Sequence, residues 1–154
     1  MLNNTFLDIS DEKRGELIKQ LVSFVPTDTL LFLPDTEEVN NALSQINSLL
    51  NTAYKRANGL KIPSCNLEQK AKLLEYFGGA SSREVAFVFL AGKELSSVLL
   101  AILLNEKVFD IEQVFALSFY EELCQQKEWG VTDEIAKRHA QIMERLKELE
   151  ELND

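Results

Sequence analysis

The chain has 154 residues, 45% of them hydrophobic and 27% charged, with a formal net charge of −9 and a pI near 4.7. That length suits one ordinary domain able to bury most of its apolar surface, and the composition is globular rather than disordered. So acidic a surface repels phosphate, which argues against nucleic acid and anionic membrane and leaves basic or neutral protein partners.

Gly and Pro number only six and three, which favours long helices over turn-rich β architecture. Cys65 and Cys124 form neither a CxxC pair nor a Cys/His cluster, so they predict no disulfide framework, no zinc site and a reduced compartment. Residues 1–6 carry no signal-peptide or transit-peptide pattern.

In chain order, Ser10-Asp11-Glu12 reads as a cap with an acidic first turn, followed by Leu17, Ile18, Leu21, Val22 and Val25 at helical spacing until Pro26. The apolar run from Thr29 to Leu33, between Pro26 and Pro34, reads as a short buried strand. Asp35 or Thr36 opens a second helix whose stripe runs through Val39, Ala42, Leu43, Ile46, Leu50, Ala53, Tyr54 and Ala57, with Gly59 as its stop. Leu60-Lys61-Ile62 could pair with the first strand. A third helix is predicted from about Asn66 to Phe77, ending at Gly78-Gly79.

The segment from Val85 to Leu104 is the most apolar and about as long as a membrane span. Lys93-Glu94 near its centre makes insertion expensive, at about 2.5–3.5 kcal/mol per charge. Residues 85–90 alone could be a buried strand, but length and the missing turn signal favour one long central helix from Ser81 or Ser82. Gly92 is then a weak point or a close-packing site. Asp110 and Gln113 form a capping box with Phe109 and Val114 as its hydrophobic staple. Thr132-Asp133-Glu134 caps the last helix, with Ile135, His139, Ile142, Leu146 and Leu149 on one face. The expected fold is mainly α, a single helical-bundle domain over residues 1–154 with about six helices and a minor two-stranded β element.

The most informative stretch is residues 118–130. Ile111 and Phe115 begin a stripe on one helix face that continues as Ser118, Glu122 and Gln125 and closes at Trp129, the one Trp in the chain. A stripe that starts as core and turns polar suggests a contact surface, although the solvated end of an amphipathic helix reads the same way. Glu121 and Glu122 point about 100° apart, so they cannot converge on one substrate atom. GxSxG, HExxH, P-loop and GxGxxG patterns are all missing from the sequence. His139 lies on an apolar stripe and reads as a packed or boundary residue, and Cys124 as a buried inert thiol. No catalytic, metal or cofactor residue is assigned.

Ala116-Leu117-Ser118, Glu121-Glu122, Gln125 and Trp129-Gly130 together resemble the signature of the assembly chaperones for the α subunit of F-type ATP synthase, a family of mitochondria and alphaproteobacteria. Arg14 before Thr27-Asp28-Thr29-Leu30 is similar to the family's Arg and Thr-Asp-x-Leu pattern. Leu95-Ser96-Ser97 before Leu99-Leu100-Ala101 looks like its small-residue helix entry. The match runs from about Asn4 to the end of the Trp-Gly helix. There are departures: Ile46-Asn47-Ser48 stands where the family often has Trp-Asp-Pro, and Cys124 where it has an aromatic. Family members also carry a β-rich N-terminal domain of about 80–90 residues, which this chain does not include.

The resemblance implies a non-enzymatic chaperone that holds the unassembled α subunit until the β subunit displaces it. Ser118, Glu121, Glu122, Gln125, Trp129 and Gly130 would be the partner-binding residues, with Trp129-Gly130 fixing the turn into the last helix. The expected location is the bacterial cytoplasm, or alternatively the mitochondrial matrix. Two other readings remain: an acidic helical interaction module with an unrelated partner, and a small enzyme using Glu122 with Ser118 or His139. The second requires a pocket joining Glu122 to another titratable group.

Overall fold

Ser10 opens the first helix as its spacing predicts. Its hydroxyl accepts the Lys13 amide, and α1 runs over Asp11–Phe24 with Leu17, Ile18, Leu21 and Val22 buried. The computed structural model describes residues 10–25, 28–56 and 67–153. The proposed second strand at residues 60–62 lies outside them, as do Ala57, Gly59, Asn66 and Cys65.

The described residues form eight α-helices and one 3-10 turn, with no strand among them. Beyond α1 these are α2 (Glu37–Leu50), α3 (Leu67–Gly79), α4 (Ser82–Leu95), α5 (Val98–Asn105), α6 (Ile111–Ser118), α7 (Tyr120–Trp129) and α8 (Asp133–Asn153). Mainly α holds; the count of about six and the β element do not.

Each correction has a local cause. The segment read as a strand is a 3-10 turn over Thr29–Phe32, because the Asp28 carboxylate caps the Leu30 amide and the Leu31 amide bonds the Asp28 carbonyl. The second helix stops at Leu50 rather than near Gly59. Asn51 takes a left-handed conformation (φ 57°), and Asn47 folds the chain back by accepting from Thr52 and the Tyr54 amide and donating to the Tyr54 carbonyl. Tyr54 therefore stays buried although it has left the helix, whereas Ala53, expected on the same stripe, is outside the helix and exposed.

The long central helix is two helices. Ser96 is left-handed (φ 53°), and Ser97 caps α5 by accepting from Leu100. Gly92 remains helical and buried, where an added Cβ would lie 3.7 Å from the Ser97 carbonyl, an ordinary contact. The helix carrying the polar stripe is also broken, at Phe119 (φ −107°, ψ 26°), into α6 and α7.

All eight residues of α5 are buried, and α2, α4 and α6 surround it. Burial of each of its leucines stabilises the fold by roughly 1.5–3 kcal/mol relative to exposure. Helix α4 also packs on α1 and α8, and α3 on α1 and α2. Arg14 ties α1 to the end of α3, donating to the carbonyls of Phe77 (2.6 Å) and Ala80 (2.9 Å) where the chain leaves the helix. No described helix is long and apolar enough to cross a membrane.

Candidate functional site

The capping box at Asp110 and Gln113 starts α6 as expected, with both staple residues, Phe109 and Val114, buried. About two turns later the Ser118 hydroxyl donates to the Leu95 carbonyl at the end of α4, so the stripe begins on an inward-pointing group. At Phe119, whose amide bonds the Phe115 carbonyl and whose carbonyl accepts the Leu123 amide, the backbone leaves the helical conformation and the chain restarts as α7. That helix has no fully buried residue.

On the α8 side, Glu122 is held by Arg138, with one carboxylate oxygen on the guanidinium and the other 3.6 Å from His139 Nε2. Gln126 Nε2 lies 3.4 Å from His139 Nδ1. The imidazole packs edge-on to Phe115 at 5.1 Å between centroids and tilted against Phe119 at 5.4 Å. His139 is thus a largely buried boundary residue that mates α7 and α8. Beyond this contact the stripe comes into solvent. Glu121 and Gln125 are exposed, and Trp129 is 83% exposed.

Gly130 has φ 83° and its amide bonds the Gln126 carbonyl, so a residue free of Cβ makes the exit from α7. The turn is made by the glycine backbone, since the Trp129 indole projects into solvent. The expected row is therefore split: Ser118 faces inward, Glu122 pairs with α8, and Glu121, Gln125, Trp129 and Gly130 lie on the surface.

Cys124 departs from the sequence reading. It is exposed, because the face of α7 carrying it does not pack on the bundle. With Tyr120, Leu123, Lys127 and Val131 it walls a groove of about 780 Å³ whose other wall is the start of α2 and whose floor is Phe109 and Leu117. The Cys124 thiol beside the Tyr120 hydroxyl raises that phenol's pKa above its ordinary value. Glu122 does not line this groove. Among the described residues no group of three or more His, Cys, Asp or Glu side chains could hold a metal ion.

Sequence reasoning noted Asp28 only as part of a resemblance, yet it is fully buried. Its carboxylate accepts from the Ser97 hydroxyl (2.5 Å), the Leu99 amide (3.0 Å) and the Leu30 amide (3.0 Å), fastening the 3-10 turn to the start of α5. Burial pushes its pKa up to about 6, against the opposing pull of the Ser97, Leu99, Leu30 and Val98 donors. The available signal was a lone Asp ahead of an apolar run and a Ser-Ser pair inside another. Only the fold brings the two together.

Among the described residues the class defined here is a helical domain built around one wholly buried helix, with a polar and aromatic helix standing at its edge. Solved structures with this fold include Atp12. Atp12 from Paracoccus denitrificans superposes with a TM-score of 0.84 at 14% identity, covering 97% of this chain and 68% of that one. A point mutant of the same Paracoccus protein gives 0.84 at 15% identity, over 96% and 67%. A protein from Agrobacterium tumefaciens described as a candidate chaperone gives 0.80 at 19% identity, and this chain, matched over 97% of its length, spans 59% of that one. The chain has the fold of these proteins. No family model matches the sequence, and no curated protein does either.

Proposed function

We propose that this protein is an assembly chaperone that holds the unassembled α subunit of the F-type ATP synthase head and keeps it from aggregating before it meets the β subunit. The observation that carries the reading is the Atp12 fold over nearly the whole chain, at a TM-score of 0.84, in a sequence that independently resembles that chaperone family around Ser118 to Gly130. Exposed subunit interfaces are aggregation-prone, and a holdase acts on them by mass action alone. An acidic helical domain with a large exposed indole suits that work without chemistry. Its place of work is where the head assembles, the bacterial cytoplasm or the mitochondrial matrix.

A small-enzyme reading needs Glu122 free to take up or release a proton in a pocket. Its carboxylate is instead engaged by Arg138, and the groove beside α7 is lined without it. The contact residues proposed are Glu121, Gln125 and Trp129, with Ser118, Glu122 and Gly130 setting the pose of the helix that presents them.

The test is co-purification with the cognate α subunit, together with suppression of that subunit's aggregation. Trp129→Ala and Glu121→Lys change exposed side chains and leave the helical circular dichroism intact. Trp129→Ala is expected to weaken binding by about tenfold or more, as for interface aromatics generally. Glu122→Lys places a second cation beside Arg138 and is expected to abolish binding by releasing α7. Wild-type affinity in the folded Trp129→Ala and Glu121→Lys variants would overturn the assignment.

A further inference from the structure

The groove between α7 and the start of α2 is separate from the Glu122–Arg138–His139 contact and from the exposed end of the stripe. Its floor is the buried Phe109 and Leu117, its walls carry Tyr120 and Leu123, and it opens to solvent over Ala116 and Cys124, both exposed. An open cleft with an apolar floor can receive apolar side chains of another element. An open cleft between helices, rather than a closed cavity, is the shape that receives a helix.

Charge decides what kind of helix. On the three bounding helices α2, α6 and α7, Lys127 is the one cation. Glu122 is already paired with Arg138, and the unpaired acids are Glu37, Glu38, Glu112, Glu121 and Glu128. Glu38 itself lines the groove opposite Tyr120. Lys127 lines it too, so the acidic excess lies not in the cleft itself but on the helices around it, where it favours a segment whose apolar side chains are bordered by Lys or Arg and repels acidic ones.

We propose that this groove receives an amphipathic helix of the client, its apolar face seated on Phe109 and Leu117 and its flanking basic side chains meeting the acidic helices around them. The proposal rests on the chaperone reading for the identity of the client. It adds a second contact surface on α7, on the face away from α8.

Cys124 gives a direct probe. In a full-length Cys65→Ser background it is the one remaining thiol, and its alkylation by N-ethylmaleimide can be followed by mass spectrometry with and without the α subunit. Saturating α subunit is expected to slow the reaction by about tenfold or more, and prior alkylation is expected to weaken α-subunit binding by a similar factor. Ala116→Arg, at an exposed helical position, should weaken binding about tenfold by filling the cleft with a like-signed charge. Glu38→Lys should weaken it severalfold, more at low salt than at high salt.

If the unmodified protein binds the α subunit but Cys124 reacts at its free rate in the complex and Ala116→Arg binds normally, the groove proposal is overturned while the chaperone reading stands. If the unmodified protein does not bind the α subunit, the chaperone reading fails and the groove proposal falls with it. Protection of Cys124 that grows with protein concentration in the absence of client, together with a dimer in light scattering, assigns the groove to a second copy and also overturns the proposal.

Discussion

Asp28 is the residue on which two distant parts of the chain agree. Its carboxylate is shared between its own 3-10 turn and the start of α5, 69 to 71 positions away. Burial makes the folded protein favour the protonated form, with a pKa of about 6 against an ordinary 3.8. A folded-state pKa above the unfolded one means that the contribution is complete below about pH 4 and is lost as pH rises through about 6. The loss amounts to about 3 kcal/mol. Asp28→Asn cannot titrate. The wild type's stability relative to this variant, from urea unfolding at a series of pH values, is therefore expected to fall by about that amount between pH ~4 and ~7. A difference independent of pH would show that the donors around Asp28 fully offset its burial, and one that rose with pH would show that they outweigh it.

Among the elements, α5 and α7 are opposites. Every residue of α5 is buried, and none of α7 is. Opening α7 sacrifices the Glu122–Arg138 and Gln126–His139 contacts and little apolar burial, whereas opening α5 dismantles the core. Hydrogen exchange should therefore be about a hundredfold or more faster for the α7 amides than for those of α5, with α5 exchanging only through global unfolding. Equal protection would mean that α7 is an integral part of the bundle.

The legibility of these elements follows the same division. Helix starts with a side-chain acceptor were readable one by one: Ser10, Asp110 and Thr132 cap as their spacing predicts, and of Asp35 and Thr36 it is Thr36 that caps α2. So were the buried stripes of α1, α2 and α8. The breaks were not readable. Ser96 adopts a left-handed backbone without being Gly, and Phe119 interrupts a helix with no breaker residue. Both breaks are imposed from outside the segment, at Ser96–Ser97 by Asp28 and at Phe119 next to the Ser118 bond to Leu95. The groove was hidden for the same reason, since its walls come from helices that only the tertiary fold sets side by side.

At the scale of the whole molecule, polar ties run at and just beneath the surface and the apolar core holds the bundle. Helix α8 lies across it, with Arg145 forking onto Glu94 at 2.8 and 3.0 Å, Arg83 reaching the Leu152 carbonyl, and Asn153 donating to Asn105. Arg145–Glu94, the one ion pair among these ties, contributes about 0–1 kcal/mol. The fully buried Leu146, with Ile142 and Leu149, is what anchors the helix. The acidic excess, by contrast, has little part in holding the fold together and acts on whatever approaches it.

The lone indole makes one further consequence measurable. Trp129 is already 83% in water, so its emission should stay red-shifted and change little while far-UV circular dichroism collapses on heating. A large spectral shift across that melt would mean that the ring is sheltered in solution. Because it is nearly blind to unfolding, native fluorescence can serve as a label-free gauge of docking: a blue shift on titration with client reports the chromophore leaving solvent, without interference from the stability of its carrier.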